Sequence, residues 1–428
     1  MLRVFIALFI SAVLSLLIGG SGCNSPNLTA APATSATISP TASKVIQHVV
    51  VIMQENRSFD HFFNGFPGAD TVTSGMNGSV QVPLAVTPLG NGPDNDHSHV
   101  GWWREWDQGK MDGFAEEGSL LPYSYISPTE IAPYWTLAQE FTLGDRMFQS
   151  NSGPSFVAHQ YMIAGQSGNA SENPSGSIWG CDAPAGDTVQ LVGPNGTDLP
   201  GVYPCFDYQT MADLLDAKGV TWRYYAPGPT TDQYFILSAY QAIRHIRFGP
   251  DWTNNVIAPE TTVLTDIAGG HLAQVSWVVP AFNNSDHPGA PPQGTAWVAS
   301  IVSAIGQSQY WNSTAIFISW DDWGGWYDHV PPPQIDAMGL GFRVPVIVVS
   351  PYARHGYVSH VTHEAGGFLR YMEEVYGLGS LGTRDAASDD FGDCFDYTQT
   401  PAKFTPVPAN RTAEFFLKQK PSGPPDDD

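Results

Sequence analysis

Basic residues are scarce in this sequence. Eighteen lysines and arginines stand against 41 aspartates and glutamates, which gives a formal net charge of −23 over 428 residues. A protein that binds a nucleic acid duplex uses a basic surface to neutralise several phosphates at once, and this composition offers no such surface. We therefore expect no nucleic acid partner. An acidic surface with few lysines suits a protein that works outside the cytoplasm.

Long apolar runs are also missing. The apolar run at residues 4–18 is shorter than the roughly 20 residues that a transmembrane helix needs. It follows Arg3 and precedes small residues and Cys23, an arrangement typical of an export signal over residues 1–22. The residues before Cys23 resemble a bacterial lipoprotein cleavage site, although Gly20 stands where leucine is usual. We expect a lipid on Cys23, with ordinary signal cleavage as the alternative, and hence an exported bacterial protein in the periplasm or at the outer membrane or cell surface.

Only four cysteines are present, and none lies in a CxxC or Cys/His spacing typical of zinc sites. A cysteine-based metal site is therefore not supported. Export makes disulfides possible. Cys181 and Cys205 flank a loop rich in Gly, Pro and Asp, and we predict a disulfide between them, which leaves Cys394 free. A reduced pair in this loop is the alternative.

Six short apolar runs of strand length alternate with helical segments, and there is no internal repeat. The runs lie at residues 45–53, 143–148, 220–225, 275–279, 316–320 and 344–350. Helices are predicted at residues 126–140, 207–218, 235–244, 295–308 and 360–376. This alternation predicts an α/β fold in which helices cover both faces of a mainly parallel central sheet.

The composition divides the chain into four parts. After the export signal, residues 23–43 are rich in Ser, Thr, Ala and Pro and predict a flexible tether. A folded domain at residues 44–376 follows. From residue 377 the chain becomes acidic and rich in proline, and we expect this extension, residues 377–428, to pack on the domain and to finish in a disordered acidic end.

The first apolar run, Val45–Met53, ends in a dense group of polar side chains. Its β-branched residues show no polar alternation, which is typical of a strand buried on both faces of a parallel sheet. Glu55, Arg57, Asp60 and His61 follow closely. Open α/β sheets bind ligands in the crevice beyond the carboxyl ends of their strands, so we interpret these residues as part of a functional site. The alternative is a helix cap, with Arg57 and Asp60 paired on the helix surface.

The string ENRSFDHFF at residues 55–63 resembles the opening motif of a bacterial phosphoesterase family. That family contains the non-haemolytic type of phospholipase C and a group of acid phosphatases. The resemblance implies an alkaline-phosphatase-like α/β fold, and it implies that Glu55 and Asn56 reach a catalytic metal ion. It extends over most of the chain, because further motifs appear in the family's order.

Two adjacent carboxylates, Asp321 and Asp322, follow the predicted strand at residues 316–320. Adjacent carboxylates repel each other unless a cation neutralises them, so the pair favours a metal site over a surface turn. The string from Asp321 through Pro333 is similar to the family's D-D/E-x-G-G-x-x-D-H-V-P-P-P. The resemblance implies that both aspartates complete the metal site, and that the Asp and His later in the string lie behind it or are structural.

Ser155 ends the string SNSGPS at residues 150–155. Gly-Pro-Ser at a strand-to-helix turn can present a hydroxyl at a helix N-terminus, where backbone N–H groups and the helix dipole favour an alkoxide and a bound phosphate. An ordinary helix cap is the alternative. The string is similar to the family's S-x-x-G-P-S/T, whose last residue becomes phosphorylated, so the resemblance implies that Ser155 is the nucleophile.

Three histidines are candidates for contact with a phosphoryl group. The family places a His upstream of a G-K/R-M-D-G-F string, which points to His97; His99 is the runner-up, and an exposed loop histidine is the alternative. His287 lies in the family string Asp-His-Pro-Gly. His245 lies in an interval where family members often carry a His, but a packed structural role is as good an interpretation. We assign no role to His99, His159, His329 and His363.

Together, the motifs predict a metal-dependent phosphoric ester hydrolase. A single divalent ion would be held by Glu55, Asn56, Ser155, Asp321 and Asp322. Oxygen ligands favour Ca²⁺, Mg²⁺ or Mn²⁺, with iron or zinc not excluded. Ser155 would attack phosphorus and form a phosphoserine that water hydrolyses. His97, His287 and His245 would bind phosphoryl oxygens or protonate the leaving oxygen.

The length of the chain after residue 377 bears on the choice of substrate. Larger phospholipase C members of the family carry extra C-terminal β-domains, for which this chain has no room. We therefore expect an acid phosphatase that acts on phosphate monoesters. A phospholipase C that cleaves phosphodiesters and recognises phospholipid head groups is the alternative. An inactive, lipid-anchored binding protein is the alternative of another class.

Overall fold

The computed structural model describes residues 41–90, 92, 94–116, 118–228 and 238–422. The predicted export signal, Cys23 and most of the predicted tether lie outside these residues. The last residues of the predicted tether form part of a short helix, α1 (Ala42–Val45). In the part of the chain that is described, no helix has the length and apolar character needed to cross a membrane.

The described residues form sixteen strands and twelve α-helices. The strands are β1 (His48–Gln54), β2 (Ser74–Asn77), β3 (Val80–Pro83), β4 (Ala85–Thr87), β5 (Ser124–Ile126), β6 (Thr142–Gly144), β7 (Met147–Phe148), β8 (Val189–Val192), β9 (Asp198–Val202), β10 (Trp222–Tyr225), β11 (Val256–Ile257), β12 (Val275–Val278), β13 (Thr314–Trp320), β14 (Val346–Val349), β15 (Tyr357–Ser359) and β16 (His363–Glu364). After α1, the helices are α2 (Phe59–Phe63), α3 (His99–Trp106), α4 (Ala132–Glu140), α5 (Ser155–Ala164), α6 (Met211–Lys218), α7 (Arg244–Arg247), α8 (Pro250–Asn255), α9 (Thr262–Gly269), α10 (Gly294–Gly306), α11 (Gly366–Tyr376) and α12 (Ala413–Lys418).

Eight of the strands form the central sheet, in the order β11-β10-β12-β1-β13-β14-β6-β15. The strands from β11 to β13 all pair in parallel, and so do β6 and β15. Only β14 runs against its neighbours β13 and β6 in the described sheet. The predicted α/β fold with a mainly parallel sheet is therefore confirmed. The continuous apolar runs of β1 and β13 are almost entirely buried, as expected for strands covered on both faces.

Helices cover both faces of the sheet, and two residues of β13 show this directly. Side chains alternate between the two faces along a strand, so Phe317 and Trp320 point in opposite directions. Phe317 packs against Phe368 of α11, with ring centroids 5.3 Å apart. Trp320 packs against Tyr134 of α4 at 5.0 Å.

Several predicted boundaries were wrong. The predicted strand at residues 143–148 splits, because β6 joins the central sheet whereas β7 pairs with β16. That pairing also explains why α11 begins at Gly366 and not at residue 360. The helix predicted at residues 126–140 begins at Ala132, since β5 pairs with β4. For the helix predicted at residues 235–244, the first three residues lie outside the described part of the chain. A 3-10 helix covers Ala239–Ala242.

The predicted disulfide between Cys181 and Cys205 is present, and Cys394 is a free, buried cysteine. Parts of the C-terminal extension contact the rest of the molecule. Phe416 of α12 packs against Trp297 of α10, with ring centroids 5.2 Å apart. The acidic end predicted to be disordered lies among residues 423–428, outside the described part of the chain.

Candidate active site

The site is built where β1 and β13, which are neighbours in the sheet, both end. Backbone hydrogen bonds continue past their last paired residues: Asp321 N donates to Gln54 O over 2.9 Å, and Arg57 N donates to Asp322 O over 3.0 Å. Asn56 N also donates to Asp321 Oδ1 over 3.0 Å. These bonds hold the two polar segments side by side. The structure thus brings together Glu55, Asn56, Asp321 and Asp322, all of them buried.

Asn56 has the left-handed backbone conformation, with φ of 57°. A non-glycine residue in this region is strained, and such strain is concentrated at functional sites. The segment after β13 accommodates it closely. A Cβ atom at Gly324 would lie 2.4 Å from the Asn56 carbonyl oxygen, and Gly324 itself has φ of +60°. Glycine is therefore required here by both the contact and the conformation.

Ser155 is the first residue of helix α5, and its side chain points at the end of β13. Its Oγ donates a hydrogen bond to Asp322 Oδ2 over 3.1 Å. The other oxygen of that carboxylate, Oδ1, accepts from Gly324 N over 2.7 Å. The position at the helix N-terminus adds the positive end of the helix dipole, which favours negative charge on or near the serine oxygen.

His159 lies one helical turn after Ser155 and contacts the same group of carboxylates. Its Nε2 is 3.6 Å from Glu55 Oε1 and 3.6 Å from Asp321 Oδ2. Sequence reasoning assigned this residue no role. All ten residues of α5 are buried, so no polar face marks His159. Its spacing of four residues from Ser155 was the available signal, because such residues share one face of a helix.

The charge balance around Asp321 favours the ionised carboxylate. Burial raises the pKa of Asp321, but contacts with the His159 imidazole, the Ser155 hydroxyl and the Asn56 backbone N–H outweigh burial and hold the pKa below its usual value. The carboxylate is therefore negatively charged at any physiological pH.

The donor atoms at this site fit a divalent cation. Glu55, His159 and Asp321 each offer one ligand atom, and these atoms lie within 4.8 Å of one another. Among the described residues, Asn56 Oδ1, Asp321 Oδ2 and both ring nitrogens of His159 accept or donate no hydrogen bond. A buried polar atom without a partner destabilises the fold. A single cation in this position would be a partner for several of these atoms at the same time.

In the described part of the chain, two other groups could hold a metal ion, but protein partners already occupy each. In the first, formed by Asp60, Asp328 and His329, the guanidinium of Arg343 lies 2.8 Å from Asp328 Oδ1 and 3.2 Å from Asp60 Oδ1. This places the Asp and His of the DDxGGxxDH string in a buried ion-pair network. The second is formed by His363, Asp393 and Cys394. There, His363 Nδ1 lies 2.9 Å from Asp389 Oδ1, and its Nε2 lies 3.0 Å from Ser359 Oγ.

His97 and His287 both lie near Asp94, another residue with no predicted role; His97 Nδ1 is 3.8 Å from Asp94 Oδ1. His97 Nδ1 donates to the Asn95 carbonyl and His287 Nδ1 donates to the Pro288 carbonyl, each over 2.8 Å. Asn56 Nδ2 lies 3.4 Å from both His97 Nε2 and Asp94 Oδ1. His287 Nε2 lies 3.8 Å from Asp94 Oδ2. Both predicted histidines are thus linked to the candidate metal ligands through Asn56 and Asp94.

The loop that carries His287 is fastened to the first motif by a buried arginine. Arg57 Nε donates to the Asp286 carbonyl over 2.8 Å. Asp286 Oδ2 accepts from Tyr134 Oη over 2.6 Å and from Trp320 Nε1 over 3.1 Å. Burial raises the pKa of Asp286 to about 6, despite these hydrogen bonds and the nearby guanidinium.

Two other histidines make their contacts elsewhere. His99, the runner-up to His97, donates from Nδ1 to the Ser152 carbonyl over 3.0 Å and accepts from Trp103 Nε1 over 3.1 Å. It anchors the loop before Ser155. His245 is exposed and pairs with Asp207 and Asp213 at 2.7 and 3.0 Å. The contacts of His245 do not join it to the group around Ser155.

A cavity of about 590 Å³ opens beside the residue that precedes Ser155. His97 lies in its wall, together with the carboxylates of Asp94, Asp96, Glu116 and Glu172. Arg104 lies 2.7 Å from Asp96 and 3.5 Å from Glu116 and offsets part of their charge. Burial raises the pKa of Glu172 to about 7. The cavity is therefore acidic, and its negative charge is greatest above about pH 7, where Glu172 is ionised.

Comparison with known proteins agrees with the resemblance seen in the motifs. A family model described as the Phosphoesterase family matches residues 46–379. The chain is 26% identical to Phospholipase C B of Mycobacterium tuberculosis, over 83% of this chain and 78% of that protein. It is also 26% identical to Hemolytic phospholipase C of Pseudomonas aeruginosa, over 85% of this chain and 58% of that protein. A solved structure of an alkaline phosphatase superfamily protein from Vibrio parahaemolyticus aligns with a TM-score of 0.42 and 10% identity, over 84% of this chain and 74% of that one.

Proposed function

The chain belongs to the Phosphoesterase family and is a phosphoric ester hydrolase, and from this premise we propose that Ser155 is its nucleophile in a metal-dependent reaction with a phosphoserine intermediate. The observation that carries the proposal is the hydrogen bond from Ser155 Oγ to Asp322 Oδ2. It places a hydroxyl at a helix N-terminus within the group of buried carboxylates. Nucleophilic serines need such activation, because the neutral hydroxyl is a weak nucleophile.

In the proposed reaction, Ser155 Oγ attacks phosphorus while Asp322, which accepts its hydrogen bond, takes up the hydroxyl proton. The Oγ–P bond forms as the bond from phosphorus to the leaving oxygen breaks. Water then attacks phosphorus and the Oγ–P bond breaks. The proton on Asp322 returns to Ser155 Oγ, and one proton of the water passes to the histidine that protonated the leaving oxygen. A divalent cation held by Glu55, Asn56, Asp321 and Asp322, with Ser155 as a further ligand, would lower the pKa of the hydroxyl and neutralise charge on the phosphoryl oxygens.

We assign His97 and His287 to the phosphoryl group and the leaving oxygen. Each Nδ1–H is used by a backbone carbonyl, so Nε2 is the atom that takes part. When protonated, Nε2 can donate a hydrogen bond to a phosphoryl oxygen or a proton to the departing alcohol. A carboxylate stands next to both rings, because Asp94 Oδ1 lies 3.8 Å from His97 Nδ1 and Asp94 Oδ2 lies 3.8 Å from His287 Nε2.

We propose a phosphodiester as the preferred substrate, as in a phospholipase C. Two observations support this choice over the monoester that the sequence favoured. The two relatives named in the comparison are phospholipases C. The acidic cavity beside Ser155 also disfavours a second phosphate charge and suits an ester whose alcohol carries a positive group.

Phosphate monoesters are the second candidate. The pair of imidazoles around Asp94 favours them, because two protonated rings would offset the additional negative charge of a monoester. In either case the substrates are phosphate esters or phospholipid head groups. Export and a lipid on Cys23 stay part of the proposal, and the residues concerned lie outside the described part of the chain.

The test compares hydrolysis of p-nitrophenyl phosphorylcholine and p-nitrophenyl phosphate by the full chain. We expect the diester to have the higher kcat/KM and the Ser155→Ala variant to lose about 10³-fold in kcat on both substrates. Treatment with a chelator should abolish turnover, and added divalent metal should restore it. Ser152→Ala is the matched control, because this buried serine lies in the same loop but contacts His99 and not Asp322.

Each outcome bears on a different part of the proposal. A higher kcat/KM for the monoester would replace the diester by the second candidate. Undiminished turnover by Ser155→Ala would exclude Ser155 as the nucleophile. Turnover that persists after complete removal of divalent metal would contradict the metal-dependent mechanism.

A further inference from the structure

We infer that His159 is a ligand of the metal ion and that it makes the site prefer cations with affinity for imidazole, such as Mn²⁺, Fe²⁺ or Zn²⁺, over Ca²⁺ and Mg²⁺. The inference rests on the proposed function, because it adds one ligand to the proposed metal site, which consists of Glu55, Asn56, Ser155, Asp321 and Asp322. The oxygen ligands alone predicted hard cations. A nitrogen ligand changes that expectation.

The position of His159 carries the inference. The residue is 2% exposed and lies on α5 one turn after Ser155, so the nucleophile and the imidazole face the same side of one helix. Its Nε2 is equally distant from Glu55 Oε1 and Asp321 Oδ2, at 3.6 Å from each. That separation is too long for a good hydrogen bond. It is close to the roughly 3.0–3.4 Å that separates two adjacent ligand atoms when both lie about 2.1 Å from one metal ion.

The alternative role for His159 is that of a counter-ion, a protonated ring that neutralises the two carboxylates without a metal. A buried imidazolium of that kind is expected to donate hydrogen bonds from its ring nitrogens. Within the described residues neither nitrogen of His159 does so. The ring is therefore placed near its anionic neighbours without bonding to them, which is the arrangement that a shared cation completes.

The test is a pulsed EPR measurement on the purified full chain loaded with Mn²⁺. A coordinated imidazole nitrogen gives a characteristic ¹⁴N modulation of the Mn²⁺ echo, independent of any enzymatic activity. We expect this modulation in the wild type and its replacement by ¹⁵N lines when the histidines are ¹⁵N-labelled. In His159→Gln it should disappear, and the Kd for Mn²⁺ should rise at least about tenfold. The ratio of Mn²⁺ to Ca²⁺ affinity should fall by a similar factor.

Two further variants identify the histidine concerned. His245→Gln removes an exposed histidine whose contacts are with Asp207 and Asp213, and His97→Gln removes one assigned to the phosphoryl group. His245→Gln should keep both the ¹⁴N modulation and the wild-type Kd for Mn²⁺, and His97→Gln should keep the ¹⁴N modulation. Near-ultraviolet circular dichroism checks that His159→Gln is folded. If it is not, the ¹⁵N exchange in the wild type, together with retention of the lines in His97→Gln, tests the same point.

The outcomes separate this inference from the proposed function. Absence of nitrogen modulation in Mn²⁺-loaded wild type, or its persistence in folded His159→Gln, would overturn the inference. Metal-dependent turnover through Ser155 would then still stand, with oxygen ligands alone. Turnover by a metal-free protein would overturn the proposed metal dependence and this inference with it.

Discussion

Ser155 Oγ donates a hydrogen bond to Asp322 Oδ2 over 3.1 Å, although 167 residues separate the two in sequence. The sheet order explains how they meet. Asp322 is the second residue after the end of β13, and the loop before α5 returns to the same edge of the sheet. Since Asp322 Oδ1 is already used by Gly324 N, the carboxylate is fixed at both oxygens. The serine hydroxyl therefore has a defined direction before any substrate binds.

We predict that Asp322→Asn lowers kcat by about 10² to 10³-fold. The asparagine Oδ1 would accept from Gly324 N, which leaves its amide Nδ2 facing Ser155 Oγ. Because Nδ2–H is a hydrogen-bond donor, the Ser155 hydroxyl proton would turn away from residue 322. One lone pair of Ser155 Oγ would then accept the hydrogen bond from the asparagine and would no longer be available for attack. Steady-state kinetics with a p-nitrophenyl ester measure the effect. A kcat within threefold of wild type would contradict the role given to Asp322.

Replacing either histidine beside Asp94 should weaken catalysis. We expect His97→Gln and His287→Gln each to lower kcat/KM by about 10 to 100-fold, because each removes a group to which we assign proton transfer or contact with a phosphoryl oxygen. His245→Gln should stay within threefold, since His245 pairs with Asp207 and Asp213. A loss of kcat/KM in His245→Gln as large as in the other two variants would contradict a role for His245 limited to its pairing with Asp207 and Asp213.

The strands and most of the site were predictable because their signals are local. A buried β-branched run followed by charged residues identifies a parallel strand and the sheet edge at its carboxyl end. Three neighbouring strands, β12, β1 and β13, end in this way, before His287, Glu55 and Asp321 respectively. Their convergence is a consequence of the parallel order, which the sequence predicted in outline.

The parts that sequence reasoning missed depend on contacts between distant segments. His159 lies on a helix that is buried on every side, so burial gives it no periodic pattern. Asp94 lies in a loop, where its position near two histidines depends on how the loop folds back on β1. The antiparallel course of β14 and the pairing of β16 with β7 likewise reflect tertiary packing, which a local pattern does not encode.

Gly324→Ala should disturb the site as well as the fold. The new Cβ would lie 2.4 Å from the Asn56 carbonyl oxygen, in addition to the strain of φ at +60°. Gly377 is the matched control, because its φ is +61° and no atom lies within 4 Å of a Cβ placed there. We expect Gly377→Ala to cost about 1–2 kcal/mol of unfolding free energy and to keep metal affinity. Gly324→Ala should cost more and should also weaken metal binding, as measured by denaturant unfolding and metal titration.

Stability should decline as the pH rises from about 4 to 8. Burial raises the pKa of Asp286 to about 6, of Glu172 to about 7 and of Glu373 to about 8. In each case the folded state binds more protons than the unfolded state at any pH between the pKa of the unfolded chain and that of the folded protein. The contribution of each protonated carboxyl group to the unfolding free energy is therefore complete below about pH 4 and is lost as the pH rises past the folded pKa. The pKa shift of the fully buried Asp286 alone corresponds to a loss of about 3 kcal/mol of unfolding free energy.

Urea unfolding of the wild type and of Glu373→Gln across this pH range checks the prediction. The variant cannot ionise at residue 373, so its unfolding free energy should fall less between pH 5 and pH 8 than that of the wild type. Glu374→Gln is the control, because Glu374 pairs with Arg370 at 3.0 Å on the outer side of the same helix. A wild-type stability that rises over this interval would contradict the assigned shifts.

The phosphoserine can be trapped directly. The proposed mechanism has two steps, and rapid acid quenching of a reaction with ³²P-labelled substrate should leave label on the protein at Ser155. We expect the label in wild type and its absence in Ser155→Ala. His97→Gln and His287→Gln separate the two steps. If one of these histidines activates the water in the second step, its replacement should raise the labelled fraction at steady state, because the intermediate then breaks down more slowly than it forms.

Asp322→Asn should behave in the opposite way. Its effect falls on formation of the Oγ–P bond, because it removes the acceptor that orients the serine hydroxyl. The labelled fraction should therefore fall below that of the wild type even when substrate saturates the enzyme. Product release without a burst, together with no protein-bound label in any variant, would point to direct attack by water. In that case Ser155 would be a metal or substrate contact, and the one-step mechanism would replace the covalent one.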